Sequence, residues 1–331
     1  MPTRVSEASD ETDATAFHGG ILVSQIPPAL RFPLLVTLSL CSSSLLYSCT
    51  SKYTAGELAS VSRSLNAWWE VGALVGWKTF ELGLGWYCNY DSYDLAALSL
   101  LSHGPPLYLL GVFYEIRPIT VFSALVIDVL TTYLPFRLLR PLSPAHAVST
   151  SSRSLAVLNR DVVTDLSIQT LTAIFAASIY SVTLFTAYLT YLPVTLVTHF
   201  NDIPTIAPAH SASIVTLLPL SLVLGLAARS FIFTPAVASA PSLAMVKKEA
   251  FNPATATLAE TFKHNVWSFN ARTKTVITRT TTLMLVTGVN TAVQCFMTIE
   301  GVEAVGAIAY AAVWVTAAAV TGASLGLVGA V

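Results

Sequence analysis

The chain has 331 residues, of which 54% are hydrophobic and only 11% are charged, and its formal net charge is −1. Soluble domains carry about 25% charged residues, so this composition excludes a water-soluble globular protein. The near-neutral charge also gives no electrostatic basis for binding nucleic acid. Because the apolar residues form long uncharged runs rather than the alternating segments of a barrel, we predict an all-α polytopic membrane protein.

Six regions follow one another along the chain. Residues 1–30 form an acidic tail that is too polar to fold alone, and we expect it to be disordered. Residues 31–136 hold membrane helices 1–4, 137–165 form a basic Ser/Pro-rich loop, 166–246 hold helices 5 and 6 and an apolar proline-broken segment, 247–279 are a basic segment, and 280–331 hold helices 7 and 8.

The predicted spans are about eight in number. They cover residues 32–51, 66–90, 95–114, 118–136, 167–191, 213–228, 280–299 and 304–331, and residues 52–65 and 195–210 are read as connectors. The second span carries the most charge. If it lies on the membrane surface or re-enters the bilayer, the chain has seven spans and its N-terminus lies on the other side.

Five ionisable residues lie inside the apolar runs of spans two to four: Glu70, Lys78, Glu81, His103 and Asp128. Such residues cost a few kcal/mol at membrane depth, so they normally face a protein interior or an aqueous cavity. They either pair in a dry interior or line a polar core. Lys78 and Glu81 share a helix face, while Asp128 either pairs with Lys78 or His103 or stays protonated.

The third span is interrupted by Gly104, Pro105 and Pro106, directly after His103. Proline removes a backbone donor and clashes with the preceding turn, which predicts a helix break or a kink. A broken helix with a histidine at the break is typical of transporter binding sites. The alternative is a kink packed by neighbouring helices, with His103 hydrogen-bonded.

Asp91 and Asp94 form an acidic pair at the membrane interface, in a DxxD arrangement. Paired aspartates can hold Mg²⁺ and a diphosphate, as in membrane prenyltransferases. Those enzymes need a second acidic motif, and the other spans contain none. The sequence has no nucleotide-binding, zinc-protease or serine-hydrolase motif. We therefore predict no catalytic residue, no metal and no cofactor, and an enzyme remains the least favoured class.

The expected partners are the bilayer and its lipids. The basic regions at 137–161 and 229–279 are separated by an even number of spans, so both can be cytoplasmic, together with both termini. Lys247, Lys248 and Lys263 are candidates for contact with anionic lipid, and residues 255–269 have the spacing of an interfacial helix. The pairs Gly72–Gly76 and Gly322–Gly326 predict close helix packing, within the chain or in a homo-oligomer.

The stretch GWKTFELGLGWYCNYDSYDLAALSLLSHGPPLYLLGVFYEIRP, followed by TYLPFRLLRPLSPAHA, resembles a family of uncharacterised multi-pass membrane proteins of filamentous fungi. The resemblance covers residues 76–147. It implies a eukaryotic setting, in an endomembrane or the plasma membrane. It brings no activity and no functional residue.

Three functions remain open from the sequence. The first is a transporter or channel whose polar core is formed by spans two to four, with Glu81 and Asp128 as proton-coupling candidates. The second is a non-catalytic membrane scaffold in which the same groups pair and hold the helices in register. The third is a membrane enzyme that acts on a lipidic substrate.

Overall fold

This computed structural model describes residues 26–147, 160–239, 257 and 270–328, and the regular structure in these ranges is helical. The prediction of an all-α polytopic protein is confirmed. The helices are α1 Pro28–Val61, α2 Trp68–Tyr87, α3 Ser92–Phe113, α4 Pro118–Leu139, α5 Pro144–Ala147, α6 Arg160–Thr164, α7 Leu166–Leu189, α8 Leu192–His199, α9 Ala207–Ser211, α10 Ile214–Ala228, a π-helical turn Arg229–Phe233, α11 Thr234–Ala238, α12 Ala271–Thr298 and α13 Ala304–Val328.

The long helices run back and forth between two ends of one bundle. At the first end, the start of α1 packs on the end of α2, where the ring centroids of Phe32 and Tyr87 lie 5.9 Å apart. At the second end, Ser62 after α1 forms a β-bridge with Ile299 after α12. The last turns of α13 return to the first end, since Gly326 lies against Val276 of α12. The start of α1 and the end of α13 therefore lie at the same end.

Six helical stretches are long and apolar enough to cross a membrane: Pro28–Thr54, Ser92–Phe113, Pro118–Leu139, Leu166–Leu189, Ile214–Ala238 and Ala304–Val328. The other two predicted spans are present as α2, with 20 residues, and α12, with 28 residues. Both connect the same two ends as their neighbours. They are more polar than the six, because α2 carries three charged residues and α12 is rich in threonine. Eight membrane crossings stay a prediction.

Several helix boundaries differ from those read from the sequence. Helix α1 continues to Val61 through most of the stretch interpreted as a connector. The region 195–210 contains the end of α8 and most of α9. Beyond α10, the chain continues through the π-helical turn into α11, with Phe231 and Ile232 fully buried. Residues 229–238 therefore belong to the bundle rather than to the membrane surface, because their apolar side chains have a packed interior to enter.

Of the helix break or kink predicted at Gly104, Pro105 and Pro106, the break is wrong. Helix α3 runs from Ser92 to Phe113 without interruption, and both prolines are buried within it. A proline has no backbone N–H, so each one leaves the carbonyl four residues earlier without its helical donor. In the hydrocarbon region such carbonyls need another partner.

Helix α12 provides both missing donors. The carbonyls freed by the two prolines belong to Leu101 and Ser102. The Thr287 hydroxyl donates to the Leu101 oxygen at 3.4 Å, and Asn290 Nδ2 donates to the Ser102 oxygen at 2.9 Å. Asn290 Oδ1 in turn accepts from the indole N–H of Trp77 at 2.9 Å. Helix α3 stays continuous because a neighbouring helix replaces the hydrogen bonds that its own backbone cannot make.

The two glycine pairs have different surroundings. A Cβ atom at Gly322 would lie 2.2 Å from Thr280 Oγ1, so this pair serves close packing of α13 on α12 within the chain. Gly72 and Gly76 have no atom of the described residues within 4 Å of an added Cβ. A homo-oligomer through the α2 face therefore stays a prediction. The basic residues Lys247, Lys248 and Lys263 and the interfacial helix predicted at 255–269, apart from Thr257, lie outside the described residues. So do residues 1–25 of the predicted tail, whereas Pro28 already begins α1.

We predict that Asn290→Leu lowers the free energy of unfolding by about 1–2 kcal/mol, because it leaves the Ser102 carbonyl without a donor. Pro106→Ala restores a backbone N–H four residues after Ser102. In the Pro106→Ala background, Asn290→Leu should therefore cost less. The measurement is a double-mutant cycle on thermal unfolding of the purified full chain in detergent. Equal costs in the two backgrounds would show that Asn290 does not substitute for the missing donor.

Candidate functional site

The middle of the bundle contains an ion pair between Lys78 and Glu81 of α2. Lys78 Nζ lies 3.1 Å from Glu81 Oε2 and also donates to the Thr132 hydroxyl of α4 at 3.0 Å. The second carboxylate oxygen accepts from the Ser102 hydroxyl of α3 at 3.3 Å. The Glu81 side chain is fully buried, whereas that of Lys78 is 19% exposed. At this depth, an ion pair whose members also make hydrogen bonds costs far less free energy than an isolated charge.

His103 and Asp128 each have other partners than those considered from the sequence. Asp128 Oδ1 accepts from the Tyr47 hydroxyl of α1 at 3.0 Å, and it pairs with neither Lys78 nor His103. His103 Nδ1 lies 3.1 Å from the carbonyl oxygen of Ser99. Nδ1 also lies 3.0 Å from the Ser102 hydroxyl oxygen. A carbonyl can only accept, and the Ser102 hydroxyl can accept while it donates to Glu81, so both contacts fit a proton on Nδ1.

A cavity of about 440 Å³ lies beside this polar cluster, bounded by α1, α2, α3, α4 and the end of α12. Lys78, His103 and Asp128 line it. Three of the five predicted core residues therefore meet at one cavity, and Glu81 contacts it only through Lys78. Most of the other lining side chains are apolar, chiefly leucines and valines.

Glu70 does not belong to this cluster. It lies in the first turn of α2, where its carboxylate accepts from the Ala67 backbone N–H at 3.2 Å and pairs with Arg63 at 3.2 Å. A carboxylate in this position satisfies a free helix N–H and interacts favourably with the helix dipole. Its place in the same apolar run as Lys78 predicted a shared polar core, but about two turns of helix separate the residues.

At the first end of the bundle, Asp94 and Arg279 form a buried bidentate ion pair. The guanidinium nitrogens lie 2.5 and 2.9 Å from the two carboxylate oxygens, and one of them also donates to the Phe231 carbonyl at 2.8 Å. The guanidinium carbon lies 4.8 Å from the Tyr90 ring centroid and 5.1 Å from that of Phe231. This pair joins α3, α12 and the π-helical turn with the fork geometry that makes arginine–carboxylate contacts strong.

Asp91 connects the same end to the loop after α4. Its carboxylate caps α3 by accepting from the Asp94 N–H at 2.9 Å, and it also accepts from Ser143 N at 2.9 Å and lies 2.7 Å from His146 Nδ1. Burial opposes ionisation, but these hydrogen bonds and the His146 charge outweigh it and lower the pKa of Asp91. For His146, burial is likewise outweighed, and the hydrogen bond and charge of Asp91 raise its pKa.

Arg140 closes the end of α2. Its guanidinium donates to the Trp86 carbonyl at 2.9 Å and to the Tyr90 carbonyl at 3.2 Å, and it reaches Asn89 Oδ1 at 2.5 Å. It also lies over the Trp86 ring, 4.8 Å from the centroid. A cation at the carbonyl end of a helix satisfies free acceptors and complements the dipole.

Asp91, Asp94 and His146 offer three metal-ligand atoms within 4.8 Å of one another. In the structure these atoms already have other partners, because Arg279 occupies both oxygens of Asp94 and His146 contacts Asp91. A divalent cation would have to displace a guanidinium. The geometry therefore favours a structural network over the Mg²⁺–diphosphate site considered from the DxxD motif.

Sequence reasoning missed Arg140, His146 and Arg279, because it assigned all three to soluble loops. For Arg279 a signal was present. Arg279, Leu283, Val286 and Asn290 recur at helical spacing and form the buried stripe of α12. For Arg140 and His146 no comparable pattern exists, since only the tertiary structure brings them to the ends of α2 and α3.

The comparisons with known proteins concern the C-terminal half. Residues 165–328 match the family model described as "Bouquet formation protein 3 C-terminal domain". The match covers α7 to α13, just under half of the chain. The search of curated proteins and the search of solved structures returned no match. The C-terminal half is thus similar to a bouquet-formation domain.

We predict that Arg279→Met alone or Asp94→Asn alone destabilises the protein by about 3–5 kcal/mol, because each leaves a buried charge unpaired. The double variant should recover a large part of this loss. The measurement is thermal unfolding of the purified chain in detergent. As a matched control, Arg117→Met removes the partner of Glu57 in a largely exposed pair and should cost much less, because solvent screens the charges. Additive losses in the double variant would contradict the pairing.

We predict that the stabilisation by the His146–Asp91 contact decreases at alkaline pH. The pKa of His146 is raised in the folded state, so its contribution is complete below its unfolded value of about 6.5 and is lost as the pH rises through the folded value. The lowered pKa of Asp91 keeps that carboxylate charged well into the acidic range.

The measurement is the difference in Tm between the unmodified chain and His146→Asn from pH 5 to pH 9. The difference isolates this pair from the other histidines. It should be largest near pH 5–6 and decline towards pH 9. A difference that stays constant or grows with pH would show that the charge on His146 does not stabilise the fold.

Proposed function

We propose that the chain is a non-catalytic membrane scaffold that acts in bouquet formation. The match of residues 165–328 to the bouquet formation protein 3 C-terminal domain carries this proposal. The bundle supports it, because the buried charges of Lys78, Glu81, Asp94 and Arg279 pair with one another. The Asp94–Arg279 pair joins α3 to α12, whereas Lys78 and Glu81 pair within α2 and hydrogen-bond to α4 and α3. Contacts of this kind hold helices in register, as a scaffold requires.

The scaffold comprises both halves of the chain. Helix α12 lies in the matched segment, yet it satisfies the backbone and the carboxylate of α3, which lies outside it. The N-terminal helices are therefore not an independent domain attached by a linker. We infer that they fix the C-terminal half in the membrane and that partner proteins of the bouquet assemble on the combined bundle.

A scaffold in bouquet formation would act where chromosome ends meet a membrane. We therefore propose that the chain resides in the nuclear envelope, a more specific location than the endomembrane predicted from the sequence. A fluorescent fusion of the full chain should label the nuclear rim. Labelling confined to the plasma membrane would contradict this location.

A transporter is the second candidate, favoured by the cavity that Lys78, His103 and Asp128 line. The two functions differ in their need for ionisable groups. A transporter that moves protons or charged solutes requires them, whereas a scaffold tolerates a buried ion pair replaced by apolar residues of similar volume.

We predict that the double variant Lys78→Met/Glu81→Met restores function in cells that lack the gene for this chain. The readout is the fraction of meiotic nuclei with clustered chromosome ends, which is what a bouquet is. The single variant Lys78→Met should accumulate poorly, because it leaves Glu81 buried and unpaired.

The unmodified chain is the positive control, and the abundance of each variant is measured in the same cells. A deletion strain with normal bouquets would contradict the proposed function. A double variant of normal abundance that fails to restore bouquets would instead favour transport.

A further inference from the structure

The cavity beside the polar cluster has the size and composition of a ligand site. Its volume of about 440 Å³ lies within the range of clefts that enclose small molecules, and a few polar groups stand among apolar walls. Only a small part of the spanning portion of α1, which forms one wall, is buried within the bundle. A lipid from the surrounding bilayer therefore has a short path into the cavity.

The polar groups of the cavity lie deep in the membrane. Lys78, His103 and Asp128 each occupy the middle of their helices, α2, α3 and α4. A phospholipid that reached them would have to bring its charged head group to the bilayer centre, which is costly. A lipid with a small uncharged head group avoids that cost.

The charges in the cavity also disfavour an anionic ligand. The ammonium group of Lys78 is neutralised by Glu81 at 3.1 Å. The other carboxylate that faces the cavity, Asp128, accepts a hydrogen bond from the neutral Tyr47 hydroxyl. No cation remains to compensate a phosphate among the described lining residues.

His103 provides a free nitrogen at the cavity, and the buried Ser39 hydroxyl, which also lines it, has no hydrogen-bond partner among the described residues. His103 is only 6% exposed, and its Nδ1 is used by the Ser99 carbonyl. Its Nε2 has no hydrogen-bond partner among the described residues, and the side chain lines the cavity. With the proton on Nδ1, the Nε2 atom that faces the cavity accepts a hydrogen bond from a donor such as a hydroxyl group.

We propose that this cavity binds a neutral lipid with a hydroxyl head group, such as a sterol or a diacylglycerol. The hydroxyl donates to His103 Nε2, and the apolar body lies against the leucine and valine walls. The site is independent of the proposed function, since it rests on the cavity alone.

The experiment uses the purified full chain in lipid nanodiscs with three photoreactive probes: a sterol, a diacylglycerol and a phosphatidylserine. Three variants are compared with the unmodified chain. His103→Asn keeps a donor at the position of Nδ1 and removes the Nε2 acceptor. Val75→Trp fills the cavity, which Val75 lines. Val71→Trp is the matched control, because it is similarly exposed on the same helix but does not line the cavity.

Labelling by the sterol or the diacylglycerol should fall about five-fold in His103→Asn, as expected for the loss of one hydrogen bond. It should fall at least as far in Val75→Trp and stay unchanged in Val71→Trp. Whichever hydroxyl probe responds identifies the lipid. The elution profile of each variant on size exclusion verifies its fold.

Two results would overturn the proposal. Equal labelling of all variants by both hydroxyl probes would mean that the probes contact only the outer surface of the bundle. Cavity-dependent labelling by phosphatidylserine at the same strength would mean that the site takes an anionic lipid.

Discussion

Helix α12 provides the hydrogen bonds that helix α3 cannot make for itself. The two prolines of α3 free the carbonyls of Leu101 and Ser102, and Thr287 and Asn290 donate to them. At the first end of the bundle, Arg279 of α12 pairs with Asp94 of α3. In a membrane there is no water to satisfy these groups, so the side chains of α12 fix its register against α3. These side chains join the middle and the first end of α3 to α12.

The contacts between α3 and α12 also limit what the buried charges can do. Arg279 is held by Asp94, by the Phe231 carbonyl and by two aromatic rings, so it is unavailable to a substrate. Glu81 is likewise held by Lys78 and by the Ser102 hydroxyl. A transport or catalytic site needs groups that change partners during its cycle. The pairs in this bundle are instead fully engaged, which agrees with a scaffold.

The segment that matches the family model and the cavity lie largely in different halves of the same bundle. The family match begins at residue 165, with α7. The polar cluster and the cavity, however, are formed mainly by α1 to α4, with only the end of α12 contributing from the matched segment. The N-terminal helices thus add a lipid-facing cavity to a C-terminal half that carries the family resemblance.

The sequence by itself determined the class of the protein, because apolar runs of membrane-spanning length and a scarcity of charge leave no other solution. It also identified the positions of Lys78, Glu81, His103 and Asp128, since charges within such runs are conspicuous. Only the tertiary structure decided their partners. The proline motif predicted a break because the sequence cannot show that Thr287 and Asn290, more than 180 residues away, replace the missing donors. The sequence of a helix shows which backbone hydrogen-bond donors it lacks, whereas tertiary packing determines which neighbouring helix supplies them.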